Sequence, residues 1–365
     1  MDPAELDAWL RLLLADGLGR GGVRRLLAAC GGPVQVLHAE PALRQRIAGP
    51  AAAALDAPPA GFDSRLAATQ AWLAGGPQRA MWALGDPAFP EGLLQTADPP
   101  LLLFADGDPA WLQRPMLAIV GSRHATAQGL DNARAFARSF SDAGWTVVSG
   151  LAAGIDGAAH EGALGGNGGT VAVVGTGPDQ VYPARHRSLA QRVRERGLIL
   201  SEYLPGTPPL AQNFPLRNRI IAGLSRGTLV VEAALQSGSL ITARLASEGG
   251  REVFAIPGSI HAPQSRGCHA LIRLGAKLVE TAQDVLEELQ GPAPGQQKLA
   301  LPTADAAPAE EPLLAALGHD PVTLDALGAR TGWSAAELNV RLLELELDGQ
   351  VARLPGGLFQ RRAGV

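Results

Sequence analysis

The stretch FPLRNRIIAGLS at 214–225 places Arg217, Asn218 and Arg219 directly before an apolar run, Ile220-Ile221-Ala222. Two guanidiniums beside an amide suit a phosphate group, because an arginine fork donates two parallel hydrogen bonds to one anion. Phe214, three residues earlier, offers a ring face on which a base can stack. Gly121-Ser122-Arg123 follows the apolar run LAIV and adds a small backbone loop, a hydroxyl and another arginine. Ser237-Gly238-Ser239 precedes a helical pattern, so its N–H groups stand at a helix start, where anions are stabilised. Asp156 and His160, in SGLAAGIDGAAHEGAL, are four apart and share one helix face. They read as an acid–base pair, or as a carboxylate that orients the glycine loop beside a histidine bonded within it. Glu232, in GTLVVEA, is a second carboxylate at a strand end.

These segments need a scaffold that brings strand ends together. From about 115 to 290, short apolar runs alternate with helical stretches. Strands are predicted at 117–121, 146–150, 170–177, 198–203, 227–233, 252–258 and 276–280. DNARAFARSFSDAG reads as a helix with a glycine stop, and Arg217 to Arg219 are expected just ahead of another helix start. Repeated strand–helix alternation predicts an α/β fold with a mostly parallel sheet covered on both faces. Ligands of such sheets bind beyond the carboxyl ends of the strands. The loops at 121–123, 150–157, 175–179 and 237–239 then converge on one anion-binding crevice.

The flanks differ. Residues 1–75 contain LDAWLRLLLADGLGRGGVRRLLAACG, with apolar spacing near the helical period and a central GLGRGG turn. That predicts a helix-hairpin-helix-like or sterile-alpha-motif-like domain whose turn could hold a phosphate, or else a plain helical packing module. Residues 76–290 form the central domain. Residues 291–312 are rich in Pro, Ala and Gln and read as a linker. Residues 313–365 read as three helices and the hairpin VARLPGGLFQR, a winged helix-turn-helix. Its third helix carries Glu337, Glu344, Glu346 and Asp348 against Arg341, a face that repels phosphates. Leu338, Leu342 and Leu345 form its expected buried stripe. A partner-binding or regulatory role suits this tail better than reading DNA sequence.

Composition narrows the classes. A chain of 365 residues implies two or three domains. The net charge of −4 argues against coating nucleic acid by bulk charge, yet seven arginines stand against two acids between Arg185 and Arg219. No apolar run reaches the ~18 residues a membrane span needs, and MDPAELDAWL lacks the basic start of a secretory signal. Cys30 and Cys268 lie far apart, as unpaired thiols of a cytoplasmic protein would. The chain has no phosphate-binding Walker loop, no dinucleotide fingerprint, no metal-ligand spacing and no hydrolase elbow. Binding without a cofactor fits this inventory better than turnover.

Taken together, GSR at 121–123, SGLAAGID at 149–156, GTGPDQVYP at 175–183, FPLRNRIIAGLS at 214–225, VVEAALQSGSLITARLA at 230–246 and FAIPGS at 254–259 resemble the bacterial DNA-processing protein A (DprA/Smf) family. The resemblance implies an extended Rossmann-like domain, flanked by a helical domain and a winged helix, that binds single-stranded DNA. It implies a role in natural transformation, protecting incoming strands and loading the RecA recombinase, with no enzymatic activity. It also implies a homodimer formed through the Rossmann-like domain. Carried over residue by residue, phosphate contacts fall at Gly121, Ser122, Arg123, Arg217, Asn218 and Arg219, with Phe214, Ser237, Gly238 and Ser239 beside them. One departure is Arg185-His186-Arg187 after the Tyr-Pro pair, where the family often has an acid or amide. Lysines used elsewhere in the family are absent, so arginine would substitute. Two alternatives remain. One is a nucleotide-processing enzyme of the phosphoribohydrolase type built on Asp156 and Glu232. The other is a transcription factor acting through the tail.

Overall fold

Leu117 and Ile119 point to one face of the central strand and Ala118 and Val120 to the other, and all four are buried. A strand buried on both faces requires cover on both, and the helices that follow each strand supply it. The computed structural model describes residues 2–290, 311–318 and 320–362. The expected linker lies outside the described residues except for its last two positions.

Five helices come first: α1 (Pro3–Leu14), α2 (Gly19–Cys30), α3 (Pro33–His38), α4 (Pro41–Ala48) and α5 (Phe62–Ala74). Next come β1 (Arg79–Ala83), the short α6 (Glu91–Leu94) and β2 (Leu102–Gly107). The alternating region then runs β3 (Met116–Val120), α7 (Ala127–Asp142), β4 (Thr146–Ser149), α8 (Ile155–Ala163), β5 (Thr170–Val173), α9 (Arg187–Arg196) and β6 (Leu198–Ser201). It continues through α10 (Asn213–Leu224), β7 (Gly227–Val230), α11 (Ser239–Glu248), β8 (Glu252–Ala255), α12 (Arg266–Arg273), β9 (Lys277–Leu278) and α13 (Ala282–Gln290).

These strands form one nine-stranded sheet in the order β1-β2-β6-β5-β4-β3-β7-β8-β9. The run from β6 to β9 is parallel, while β2 pairs antiparallel with both β1 and β6. The chain winds outward from β3 to β6, then crosses back to β7 on the other side of β3. Strand order therefore reverses at β3–β7, and the loops at their carboxyl ends splay apart into a crevice. On one face of the sheet, Ile220, Ile221, Ala243 and Ala246 of α10 and α11 meet Ala118, Val120 and Val148. On the other, Ala133, Phe136 and Phe140 of α7 and Ala159 of α8 meet Leu117, Ile119 and Val147.

The antiparallel strands β1 and β2 were not expected from sequence, where the first strand is placed at 117. They have a distinct job. Leu102 and Phe104 of β2 join Trp9, Leu10, Leu26 and Trp72 in one core, so the N-terminal helices are sealed onto the sheet through β2. Trp72 meets Phe104 edge-to-face at 5.8 Å. The predicted strand at 170–177 ends at Val173, because the chain then leaves the sheet as a glycine loop. The edge prediction shrinks to two residues in β9.

The tail holds α14 (Pro312–Leu317), β10 (Val322–Thr323), α15 (Leu324–Thr331), α16 (Ala335–Leu347), β11 (Val351–Leu354) and β12 (Leu358–Arg361). The three helices and hairpin match expectation, and β10 adds a third strand beside β12. Leu338, Leu342 and Leu345 are buried as the spacing required. Ser334 and Glu337 form a reciprocal cap at the start of α16. Arg341 is bound to Glu311 and Glu344, so the exposed face of that helix stays acidic. Among the described residues both cysteines are free. No helix among them is long and apolar enough to cross a membrane.

Candidate nucleic-acid interface

A crevice of about 670 Å³ opens at the β3–β7 reversal. Gly121, Ser122, Arg123, Phe214, Arg217, Asn218, Ser237, Gly238 and Ser239 all line it, so residues more than a hundred positions apart meet as expected. Arg219 does not. Arg217, Asn218 and Arg219 sit inside α10 rather than before its start. Successive helical residues turn by about 100°, so Arg217 and Arg219 leave the helix on nearly opposite sides.

Arg217 is only 3% exposed. Its guanidinium donates to the carbonyls of Gly150 (2.7 Å) and Val173, at the ends of β4 and β5. Its Nε donates to Asn218 Oδ1 at 3.1 Å, and Asp156 stands 3.8 Å away. Burial lowers its pKa to about 10, against the pull of Asp156. The expected phosphate contact is therefore corrected to a strut, whose donors are spent on backbone. Gly150 is required by it, because a Cβ there would lie about 2.1 Å from the guanidinium. Asn218 is spent in the same way, donating to Gly238 O at 3.2 Å and so tying α10 to the start of α11. Arg219 reaches away from the crevice to Glu202 and Asp98.

The loop after β3 has a different character. Arg123 is exposed and has no carboxylate partner among the described residues. Its guanidinium lies 5.5 Å from the Phe214 ring centroid, a cation–π distance. Tyr182, half-exposed, stacks at a tilt on the same ring at 5.3 Å, beside a cis Tyr182–Pro183 bond. Tyr182 was not among the expected contacts, although its Tyr-Pro pair after a glycine loop was a signal. His124 and Gln236 also line the crevice without having been expected. Gly121 was expected among the phosphate contacts. Instead the space a Cβ would need is filled by Ile155 Cγ1 at 2.6 Å and Glu232 O at 2.9 Å, so this glycine permits packing of β3 against α8. Ser122 Oγ accepts from His124 N at 3.1 Å. The start of α7 is already capped by Thr126, whose Oγ1 accepts from Gly129 N at 3.0 Å. Ser237 and Ser239 share a hydroxyl hydrogen bond of 2.7 Å, and the Cα of Gly238 faces open space.

Each carboxylate considered for catalysis holds backbone. Asp156 accepts from the N–H groups of Gly150 (3.1 Å) and Ala152 (3.4 Å), as the loop-orienting reading required. Burial pushes its pKa up, opposed by Arg217. Glu232 accepts from Thr126 N and Oγ1, at 3.0 and 2.5 Å. Burial raises its pKa too. His160 Nε2 accepts from Leu151 N at 3.3 Å, and its Nδ1 is 2.7 Å from Thr170 Oγ1. This holds Leu151 at φ 56°, in the left-handed region. Burial first, then the charges of His186 and Arg217, lowers the His160 pKa to about 3.

Two expectations follow. Arg217→Ala strands Asp156 and two carbonyls in the interior and costs about 3–5 kcal/mol in urea unfolding, whereas Arg123→Ala stays within about 0.5 kcal/mol. His160 is neutral when folded but protonates below pH 6.5 when unfolded, so the unfolded chain binds more protons and stability falls as pH drops from 6.5 toward 3. Unfolding of His160→Gln measured from pH 6.5 to 5 should show a shallower fall than the parent.

Comparison with known proteins agrees with this architecture. The family model described as DNA recombination-mediator protein A matches residues 80–290. The model described as the DprA winged helix domain matches residues 297–357. Protein Smf of Escherichia coli K12 is 45% identical over 288 residues, covering 75% of each chain. DNA processing protein DprA of Streptococcus pneumoniae R6 is 49% identical over 205 residues, covering 56% of this chain and 72% of that one. The X-ray structure of DprA from Streptococcus pneumoniae superposes with a TM-score of 0.68 at 38% identity, over 79% of this chain and 98% of that one. A Helicobacter pylori DNA processing protein A, described for its single-stranded DNA binding mode, superposes with a TM-score of 0.53 at 31% identity, over 57% and 95%. With a family model spanning more than half its length, the chain belongs to the DNA recombination-mediator protein A family.

Proposed function

We propose that this protein binds single-stranded DNA in the crevice at the β3–β7 reversal and acts as a recombination mediator that hands the strand to RecA. The observation that carries the reading is the exposed Arg123 guanidinium, without a carboxylate partner among the described residues, stacked on Phe214, whose ring also meets Tyr182 at the crevice wall. A cation and an aromatic pair side by side match the alternation of phosphate and base along a single strand. A stiff duplex keeps its bases stacked inside and cannot enter such a cleft. The Helicobacter pylori relative's single-strand binding mode supports the same reading. Exposed Arg185 and Arg187, just beyond Tyr182, extend positive charge outward and stand in for absent lysines. Protection of strands taken up during natural transformation is part of the same proposal, and membership of the recombination-mediator family supports it. The contacts proposed at Ser122, Ser237, Gly238 and Ser239 are hydroxyls and N–H groups lining the cleft, while Arg217 and Asn218 shape it from beneath.

A homodimer through the sheet edge belongs to the same reading. β9 is a two-residue edge strand with an open side. Leu274 before it is 85% exposed, Leu278 within it is exposed, and so is Ile260 in the loop after β8. Exposed apolar side chains on an unpaired edge suit burial against a second copy.

Fluorescence anisotropy with a labelled thymidine oligomer and a matching duplex tests the first proposal. The expected outcome is preference for the single strand, with Arg123→Ala weakening it about tenfold, or about 1.4 kcal/mol, and flattening the salt slope by about 0.7. Equal binding of the duplex would sink it. For the second, Leu274→Asp should convert a dimer into a monomer in sedimentation velocity, and an unchanged mass would rule out this edge.

A further inference from the structure

Strand β12 is buried on both faces. Phe359 turns into the core of the tail, whereas Gln360, one residue on, accepts from Gln128 N of α7 at 3.4 Å and is itself buried. Arg362, two residues further along, donates two hydrogen bonds to Asp131 of α7, at 2.8 and 2.9 Å. The hairpin is thus the side of the tail turned toward the sheet domain. Leu338, Leu342 and Leu345 of α16 meet Val351 and Phe359 from across the tail's own core, so the outer face of α16 points away from α7.

That outer face is apolar. Val340, Leu343 and Leu347 are 63%, 57% and 80% exposed, and exposed Ala336 continues their line toward the helix start. Steps of four, three and four residues along 336–340–343–347 are those of a heptad seam. The seam lies opposite the buried stripe 338–342–345, so α16 carries two apolar stripes and its own domain uses one. Such a seam matches another helix, because side chains at this spacing interlock with those of a partner helix along the whole line. The positions beside the seam select that partner. They are Glu337 and Glu344 on one side, Asn339 and Glu346 on the other. Arg341, the one cation on α16, is already held between Glu311 and Glu344. The flanks therefore keep a negative excess.

We propose that the outer face of α16 docks a helix of a partner protein, one whose apolar seam is flanked by lysine or arginine. Charge complementarity selects this occupant. The acids beside the seam repel the phosphates of DNA and an anionic membrane surface alike. They also disfavour a second copy of α16, since glutamate would face glutamate in either orientation. The seam spans roughly 16 Å, a length that suits a small contact able to form and release. This docking is independent of single-strand binding at the β3–β7 crevice, which lies on the sheet domain.

The test uses the full chain and fluorescence anisotropy with two labelled helical peptides of equal length. Both carry leucine along a heptad seam, one with lysine beside it and the other with glutamate. A labelled DNA duplex is the third probe. The parent should bind the lysine peptide at least about tenfold more tightly than the glutamate peptide. Leu343→Ser/Leu347→Ser should weaken that binding at least about tenfold, with its urea unfolding midpoint unchanged because both side chains are exposed. Glu344→Lys/Glu346→Lys should reverse the preference in favour of the glutamate peptide. Lysine-peptide binding that is absent in the parent or intact in the leucine variant overturns the docking assignment, and so does a preference that the charge reversal leaves in place. If the leucine variant instead loses duplex binding, the face meets DNA and the assignment is wrong. If that variant has a smaller mass than the parent in sedimentation velocity, the occupant is a second copy and the partner helix is overturned.

Discussion

The buried Arg217 guanidinium is the interaction on which the ligand edge of this sheet depends. Parallel strands end in carbonyls that the sheet cannot pair, and those of Gly150 and Val173 stand at the ends of β4 and β5. Arg217 donates to one carbonyl from each strand and lies beside Asp156, which in turn accepts from two N–H groups of the β4 loop. Donor and acceptor charges are thus shared over backbone that would otherwise be buried unsatisfied. Removing the guanidinium would open the loops that form the cleft, so the residue sets the shape of the cleft.

That strut separates two roles which a sequence string merges. Neighbouring residues of α10 serve three destinations. Arg217 faces the sheet, Asn218 faces the start of α11, and Arg219 faces the ion cluster with Asp98 and Glu202 under the N-terminal helices. One helix therefore couples the crevice, the second half of the sheet and the N-terminal helices. The cation left to meet solvent at the crevice is Arg123, held in place by the Phe214–Tyr182 pair. The crevice thus has a floor of spent donors and a wall with an unspent one.

Much of the fold was legible because its signals are local. Alternating apolar runs and glycine stops placed seven strands of the central sheet, and the 338–342–345 leucine stripe placed the buried face of α16. β1 and β2 escaped because an antiparallel pair before the repeating units breaks their rhythm. Their partners are β6 and the helical core, far along the chain. The loop at 121–123 was found because glycine and serine after an apolar run mark a strand end, and 237–239 because it stands just before a helical pattern. Tyr182 was missed because its partner, Phe214, is thirty-two positions away.

By itself the sequence determined the repeating strands and helices, the parallel sheet and the family, since each rests on spacing along the chain. It also determined which residue types would gather at the strand ends. Only the tertiary structure decided which arginine is free. A guanidinium at 123, 217 or 219 reads identically in sequence. Whether its donors meet solvent, carbonyl or carboxylate depends on helix phase and on the depth of the crevice, and those are properties of packing.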